Sequence, residues 1–286
     1  MVARFRKERL GSLTPIEALI TELQDNTWAS HYTTDETGRV NFLFFAPYEA
    51  IDLAQSSPDV LFIDATYRTN RYNMPLIHFL TITPIGKTVS VAMCFVAAET
   101  EPMYLLAVTK FRELVLGNLR IEVIFTDTDV SLKGALTTVF RSVPQLLCIW
   151  HINKNVETAV ADHWKVNTLN QYNEENKEKR KSFLERWNTV ISQPTEEEFE
   201  DYYKLFKRFY ADQPELVNYI EKNKYPVRHQ FATAFTSKFR HLGHSATSRG
   251  ENGHRMFKRY LLSSRHDLLE LKDRWLKPEY ASSFSQ

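Results

Sequence analysis

Three carboxylates stand out by their context. Asp64 ends the apolar run Val60-Leu61-Phe62-Ile63. A continuous run of this kind reads as a strand buried on both faces. A buried carboxylate is costly without compensation. Asp64 therefore calls for a partner, a metal, or a place at the open end of a sheet. Asp127 ends a second apolar run, Ile121 to Thr126. If the two strands are parallel neighbours, their carboxylates converge. The third acid should come from a later element packed on the same edge. Glu251 is the candidate, in Ser248-Arg-Gly-Glu-Asn-Gly-His254 at the start of a basic helix. Three carboxylates can hold two divalent cations about 3.5–4 Å apart. One cation would activate a water or a 3′-hydroxyl, and the other would stabilise the leaving oxygen of a phosphodiester. Hard oxygen donors suit magnesium or manganese. Each acid also has an ordinary reading. A strand-end Asp127 can be a turn or cap residue. Asp129 would share a face with Asp127 on an extended strand, but fits better as the cap of a helix starting at Val130. Glu251 can be a first-turn acid favoured by the helix dipole.

Cys148 and His151 form a Cys-x-x-His pair. Structural zinc takes four ligands, and no second pair is evident, although His241, His244 and His254 exist. Cys148 is read as buried at a strand end. His151 is read as lining the site or, alternatively, as a structural histidine at a helix start. For DNA contacts the candidates are Lys154, Arg249, His254, Lys258 and Arg259. Arg255, Lys258 and Arg259 lie at i, i+3 and i+4, so they share one helix face. Lys and Arg on phosphates position a duplex without reading its sequence. From Lys224 to Lys277, 12 Lys and Arg stand against 4 Asp and Glu, while the whole chain carries a net charge of only +1. That asymmetry is the footprint of a polyanion-binding face, or else a solvated helical surface.

Thr14 can cap a helix that Pro15 opens and that runs to about Leu23. Val40 to Ala46 reads as a strand and Pro47 to Gln55 as a short helix. The Asp64 strand follows, then the turn Asn70-Arg-Tyr-Asn73. Leu76 to Thr83 and Thr88 to Ala98 are the next strands. Their short connections make an antiparallel meander. Glu101 to Leu116 is a helix, Ile121 to Thr126 a strand, Val130 to Phe140 a helix and Gln145 to Trp150 a strand. Another helix starts near His151. Three strands in a row, then helix-strand-helix-strand-helix, indicate α/β architecture with a partly antiparallel, five-stranded sheet. No strand signal appears between Asp162 and Tyr225. Phe183, Trp187, Phe199, Tyr202, Tyr203, Phe206, Phe209 and Tyr210 supply an aromatic core for an all-helical insertion. Helices over Glu251–Leu262 and Leu268–Trp275 follow. The resulting division is a lead-in over 1–56, the first part of the core over 57–161, the insertion over 162–228, closing helices over 229–277 and a tail over 278–286.

The chain has 286 residues, 43% of them hydrophobic, which is ample for a sizeable core and unlike a disordered chain. Two cysteines do not make a disulfide framework, which points to a reducing compartment. The basic N-terminus lacks an apolar h-region, so it is not read as a secretory signal. No apolar stretch approaches the ~18 residues of a membrane span. The expectation is a soluble intracellular protein with no membrane partner.

Several blocks resemble the Mutator-like element (MULE) transposases, the fungal type above all. They are Asp64-Ala-Thr-Tyr-Arg-Thr-Asn70 with Met74-Pro-Leu76, then Phe125-Thr-Asp-Thr-Asp129 followed by Ala135-Leu136 and Val139-Phe140. Leu147-Cys-Ile-Trp-His-Ile-Asn-Lys-Asn155 is close to the family's Cys-x-x-His signature. Thr247-Ser-Arg-Gly-Glu-Asn-Gly-His254 with Phe257-Lys-Arg-Tyr-Leu261 resembles the block of the catalytic Glu. The resemblance covers roughly residues 10 to 275. It implies a ribonuclease H-like core interrupted by a helical insertion before the last catalytic helix. It also implies a DDE triad of Asp64, Asp127 and Glu251 with two magnesium or manganese ions. DNA as terminal repeats and target, a homo-oligomer and a nuclear location follow by resemblance. Family members usually carry an N-terminal zinc-binding DNA module and often a C-terminal Cys/His zinc motif. With Cys94 and Cys148 as its only cysteines, this chain carries neither. The readings left standing are a metal-dependent DNA-cutting and -joining enzyme, a non-catalytic regulator like the far-red-response factors of plants, and a nuclease acting on RNA hybrids.

Overall fold

The computed structural model describes residues 6, 8–25, 27–66, 69–83, 86–164, 174–239 and 265–275. The chain divides into two compact units, 1–143 with 248–286, and 144–247.

The first unit begins with α1 (Pro15–Leu23). Its start is built as the sequence suggests. Thr14 is the N-cap, its hydroxyl accepts from the Glu17 amide, and the Glu17 carboxylate accepts from the Thr14 amide, which completes a capping box. Then come β1 (Trp28–Thr34), β2 (Val40–Pro47), α2 (Tyr48–Ser56), β3 (Val60–Thr66), β4 (Leu76–Ile82) and β5 (Thr88–Val96). Helix α3 (Glu101–Phe111) continues into a π-helical turn, Arg112–Leu116, where one uniform helix was expected. Strand β6 (Val123–Thr126) and α4 (Val130–Val139) follow, and α10 (Leu268–Trp275) returns to this unit.

The sheet is mixed and has seven strands, not five, in the order β1-β2-β5-β4-β3-β6-β7, with β7 at Gln145–Leu147. Two differences account for the count. Strand β1 is an edge strand whose Trp-Ala-Ser-His-Tyr-Thr-Thr sequence carries too little apolar alternation to announce itself. Strand β2, read as a lead-in, pairs with β5, and its Phe42 to Ala46 are almost wholly buried. Strands β3, β4 and β5 form the antiparallel meander, and β3 pairs with β6 in parallel.

Both faces of this sheet are covered. On one, Leu61, Ile63, Ile77, Phe79 and Cys94 pack with α2, α3 and α4 through residues such as Ile51, Phe111 and Leu136. On the other, Leu43, Phe45, Leu76, Met93 and Phe95 pack with Leu19 and Leu23 of α1 and Leu271 and Trp275 of α10. Val60 to Ile63 are each 1–2% exposed, as an unbroken apolar run between two helical layers requires.

The second unit, among its described residues, holds β7, α5 (Ile149–His163), α6 (Glu174–Ile191), α7 (Glu196–Phe209), α8 (Pro214–Asn223), a 3₁₀ turn at Tyr225–Gln230 and the four-residue α9 (Thr233–Thr236). Strand β7 is three residues long and the helix starts at Ile149, earlier than the sequence suggests. Phe183, Trp187, Phe199, Tyr203, Phe206 and Tyr210 do form a core. Tyr202 and Phe209 do not: they are 43% and 58% exposed, and Phe209 instead lies under the Arg186 guanidinium, 4.0 Å from its ring centre. Among the described residues no helix is long and apolar enough to cross a membrane.

Candidate active site

Asp64 and Asp127 meet at one edge because of the strand register. Strands β3 and β6 run parallel with Val60 beside Val123, Leu61 beside Ile124 and Phe62 beside Phe125. Two residues further along each chain stand Asp64 and Asp127. The Phe62 and Phe125 rings stack beneath them, 4.9 Å apart and 12° from coplanar. An apolar floor of this kind keeps water out of the sheet and leaves the carboxylates at its open end.

Asp64 is 2% exposed. Its Oδ2 accepts from the Thr66 hydroxyl at 2.9 Å. Its cross-strand neighbour on β4 is His78, also buried, whose Nε2 lies 2.5 Å from Ser90 Oγ. His78 was not foreseen, because a single histidine in an apolar strand carries no motif. The loop after β3 is pinned by Asn70, which is fully buried. Its Oδ1 accepts from the Tyr72 and Met74 amides and its Nδ2 donates to the Met74 carbonyl. Asn73 takes a left-handed φ of 54°, a conformation that asparagine tolerates better than most residues.

Asp127 follows immediately on β6 and is half-buried. Its Oδ1 accepts from the Thr128 amide at 2.6 Å and the Thr128 hydroxyl at 3.2 Å. Asp129 is the N-cap of α4, accepting from the Leu132 amide at 2.7 Å. It therefore takes the capping role rather than a second metal position.

Glu99, between β5 and α3, belongs to the same edge. Burial pushes its carboxyl up from the usual range, and the charges of Asp129, Asp64 and Asp127 push it the same way. The Tyr104 hydroxyl lies close enough to favour the charged form. Yet neither Glu99 Oε1 nor the Tyr104 hydroxyl meets a partner at hydrogen-bonding geometry. Burial also raises the Tyr104 phenol, helped by Glu99 and Asp129. Glu99 escaped the sequence reading because a Glu just before a helix resembles an ordinary solvated acid.

The remaining candidates lie elsewhere. Cys148, a free and buried thiol, is the N-cap of α5 in the second unit, with no side-chain cap bond. His151 is in the first turn of that helix, its ring edge-on to Trp150. Lys154 is exposed and pairs with Glu157 at 3.2 Å. Glu251, Arg249, His254, Lys258 and Arg259 lie outside the described residues. Among the described residues no three His, Cys, Asp or Glu side chains are grouped so as to hold a metal ion. Asp64 and Asp127 are still a donor set fitted to a hard divalent cation: two carboxylates side by side, one of them deeply buried.

Comparison with known proteins agrees with this geometry. A PKS-NRPS hybrid synthetase, cheA, of Chaetomium globosum is 27% identical over 94% of this chain, a match that spans 6% of the synthetase. Protein FAR1-RELATED SEQUENCE 5 of Arabidopsis thaliana is 27% identical over 43% of the chain and 15% of its own length. Protein FAR-RED IMPAIRED RESPONSE 1 of the same plant is 21% identical over 84% of the chain and 26% of its own length. The chain thus spans about a quarter or less of these relatives. Residues 60–155, the stretch that carries both Asp64 and Asp127, match the MULE transposase domain.

Proposed function

We propose that this chain is the catalytic domain of a MULE-type transposase, a metal-dependent enzyme that cuts and joins DNA strands on a ribonuclease H-like core. The parallel register that sets Asp64 beside Asp127 carries this reading. The family match over the same stretch supports it. Asp64 and Asp127 would hold the divalent cations, magnesium or manganese, with Glu251 as the third carboxylate. A bound cation pair would supply an activated water or 3′-hydroxyl and charge neutralisation at the leaving oxygen.

The chain's own residues do the positioning. The Thr66 hydroxyl orients one oxygen of Asp64. Thr128 ties down Oδ1 of Asp127 and leaves Oδ2 without a hydrogen bond among the described residues. The Phe62–Phe125 stack excludes water from below. Holding both carboxylates rigidly before substrate arrives lowers the reorganisation needed at the moment of reaction. Lys154, Arg249, His254, Lys258 and Arg259 would contact DNA phosphates, the duplex would be terminal-repeat and target DNA, and the enzyme would work in the nucleus as a homo-oligomer.

The test is a nicking assay with manganese, using the purified chain and duplex DNA that carries inverted repeats from the flanking genome. Asp64→Asn, Asp127→Asn and Glu251→Gln should each reduce cleavage to background with the melting temperature unchanged or higher. Full activity in any one of them would sink the assignment. A second reading is a transposase-derived regulator without catalysis, favoured by the similarity to FAR-RED IMPAIRED RESPONSE 1 over 84% of this chain. Binding of the duplex without any manganese-dependent nicking would support that reading instead.

A further inference from the structure

The edge that bears Asp64 and Asp127 also holds two buried oxygen atoms with nothing to bond. Tyr104 is 1% exposed, its side chain enclosed by the α3–α4 layer, and its hydroxyl has no hydrogen-bond partner. Oε1 of Glu99 is likewise buried and without a partner. The charges felt by the Tyr104 hydroxyl are those of Glu99, Asp129 and Asp64, so it faces the acidic edge. Buried polar atoms are nearly always satisfied, and exceptions in a native fold call for an occupant. A buried phenol and a buried carboxylate oxygen, beside three further acids, suit a hydrated cation. The water on such an ion donates hydrogen bonds outward, and both orphaned oxygens can accept them.

Topology decides how close Glu99 can come. Strand β5 is separated from β3 by β4, whereas β6 is next to β3. At roughly 4.8 Å per strand, the end of β5 stands about two spacings from Asp64, while Asp127 stands one away. The described carboxylates accordingly do not group as direct ligands of one ion. One intervening water spans the difference.

We propose that Glu99, backed by the Tyr104 hydroxyl, is a fourth carboxylate of the cation site, acting on a water of the ion held by Asp64 and Asp127 and not as a direct ligand. It is a positioning residue: it orients the ion's hydration shell and adds negative charge at the rim. The inference rests on the reading of Asp64 and Asp127 as the cation-holding pair.

The experiment is a manganese titration of the full chain, followed by the electron-spin signal of free Mn²⁺ and by water-proton relaxation of the bound ion, with thermal melts run in parallel. Glu99→Gln should weaken binding about tenfold, within the range for residues that act through a metal's first ligands. It should also change the relaxation of the bound ion without lowering the melting temperature. Tyr104→Phe, which keeps the buried ring, should shift binding in the same direction by less. Wild-type affinity and relaxation in both variants would overturn the proposal. Asp64→Asn serves as the reference. If it abolishes binding while Glu99→Gln does nothing, only the role of Glu99 fails. If Asp64→Asn itself binds normally, the cation-pair reading falls and this inference falls with it.

Discussion

Two groups of acids in the first unit have opposite surroundings. Where α1 meets α10, every acid has a cation. Arg9 bridges Glu22 and Asp273, with Nη2–Oε2 at 2.6 Å and Nη1–Oδ2 at 2.5 Å. Lys272, nearly buried, pairs with Glu22, and Arg6 pairs with Asp267 and Glu270. At the open end of β3, β5 and β6, by contrast, Glu99, Asp127 and Asp129 make no ion pair among the described residues, although they feel one another's charge. The first arrangement is what a fold uses to hold elements together. The second is a standing cost to stability, which a protein keeps when a cation from outside is to complete it.

That contrast can be broken by mutation, and the two sides should break differently. The largest effect belongs to the acidic edge: Asp64→Asn or Asp127→Asn should remove cleavage altogether while leaving the melt unchanged or raised, as read by nicking and calorimetry. Next comes the paired seam. Lys272→Met leaves two carboxylates with only Arg9 to balance them. It should cost about 2–4 kcal/mol in denaturant unfolding, near the range for removing one member of a buried pair, with cleavage per folded molecule retained.

Acid and base should also separate the two regions. Glu22 pays for burial, but its bonds to Arg9 and Lys272 outweigh that and hold its carboxyl below the usual value of 4.5. Its contribution is present above that value and is lost as pH falls through the lowered one. Glu99 has the opposite sign. Its carboxyl is raised above 4.5, so its contribution is full below that value and is lost as pH rises through the raised one. Glu99→Gln should therefore raise the melting temperature of the metal-free chain at neutral pH, with the gain disappearing under acid. Glu22→Gln should lower it at neutral pH, with the loss disappearing under acid. Melting curves from pH 3 to 8 check both, and parallel profiles would end the distinction.

The smallest effect concerns the helix pair over the edge. A methyl added at Gly134 of α4 would meet the Glu101 carboxylate oxygen at 3.0 Å. That oxygen is the far end of a flexible side chain and can swing away. Gly134→Ala should gain most of the helix-propensity difference, about 0.5–1 kcal/mol, measured by urea unfolding. A loss of stability would show that Glu101 is locked in place.

Much of the fold was legible in the chain itself, and for definite reasons. The capping box at Thr14 and Glu17, the apolar run into Asp64, the turn at Asn70–Asn73 and the cap at Asp129 are local: each depends on residues within a few positions of one another. Asp64 and Asp127 were legible as acids ending apolar strands. The edge strand β1 was not, since its pairing with β2 rather than its own pattern makes it a strand. Phe209 and Phe206 look alike in sequence, yet only the second is buried.

What the sequence determined alone, then, is the chemistry available: two strand-end carboxylates, a meander, a helical insertion and the blocks that resemble one family. Only the tertiary structure decided that β3 and β6 are parallel neighbours in a register that aligns Asp64 with Asp127. It also brought Glu99 and Tyr104 to the same edge. The reason is physical. Local patterns report on burial and backbone shape, whereas which charges share a desolvated edge depends on strand order. Strand order is set by the packing of both helical layers at once.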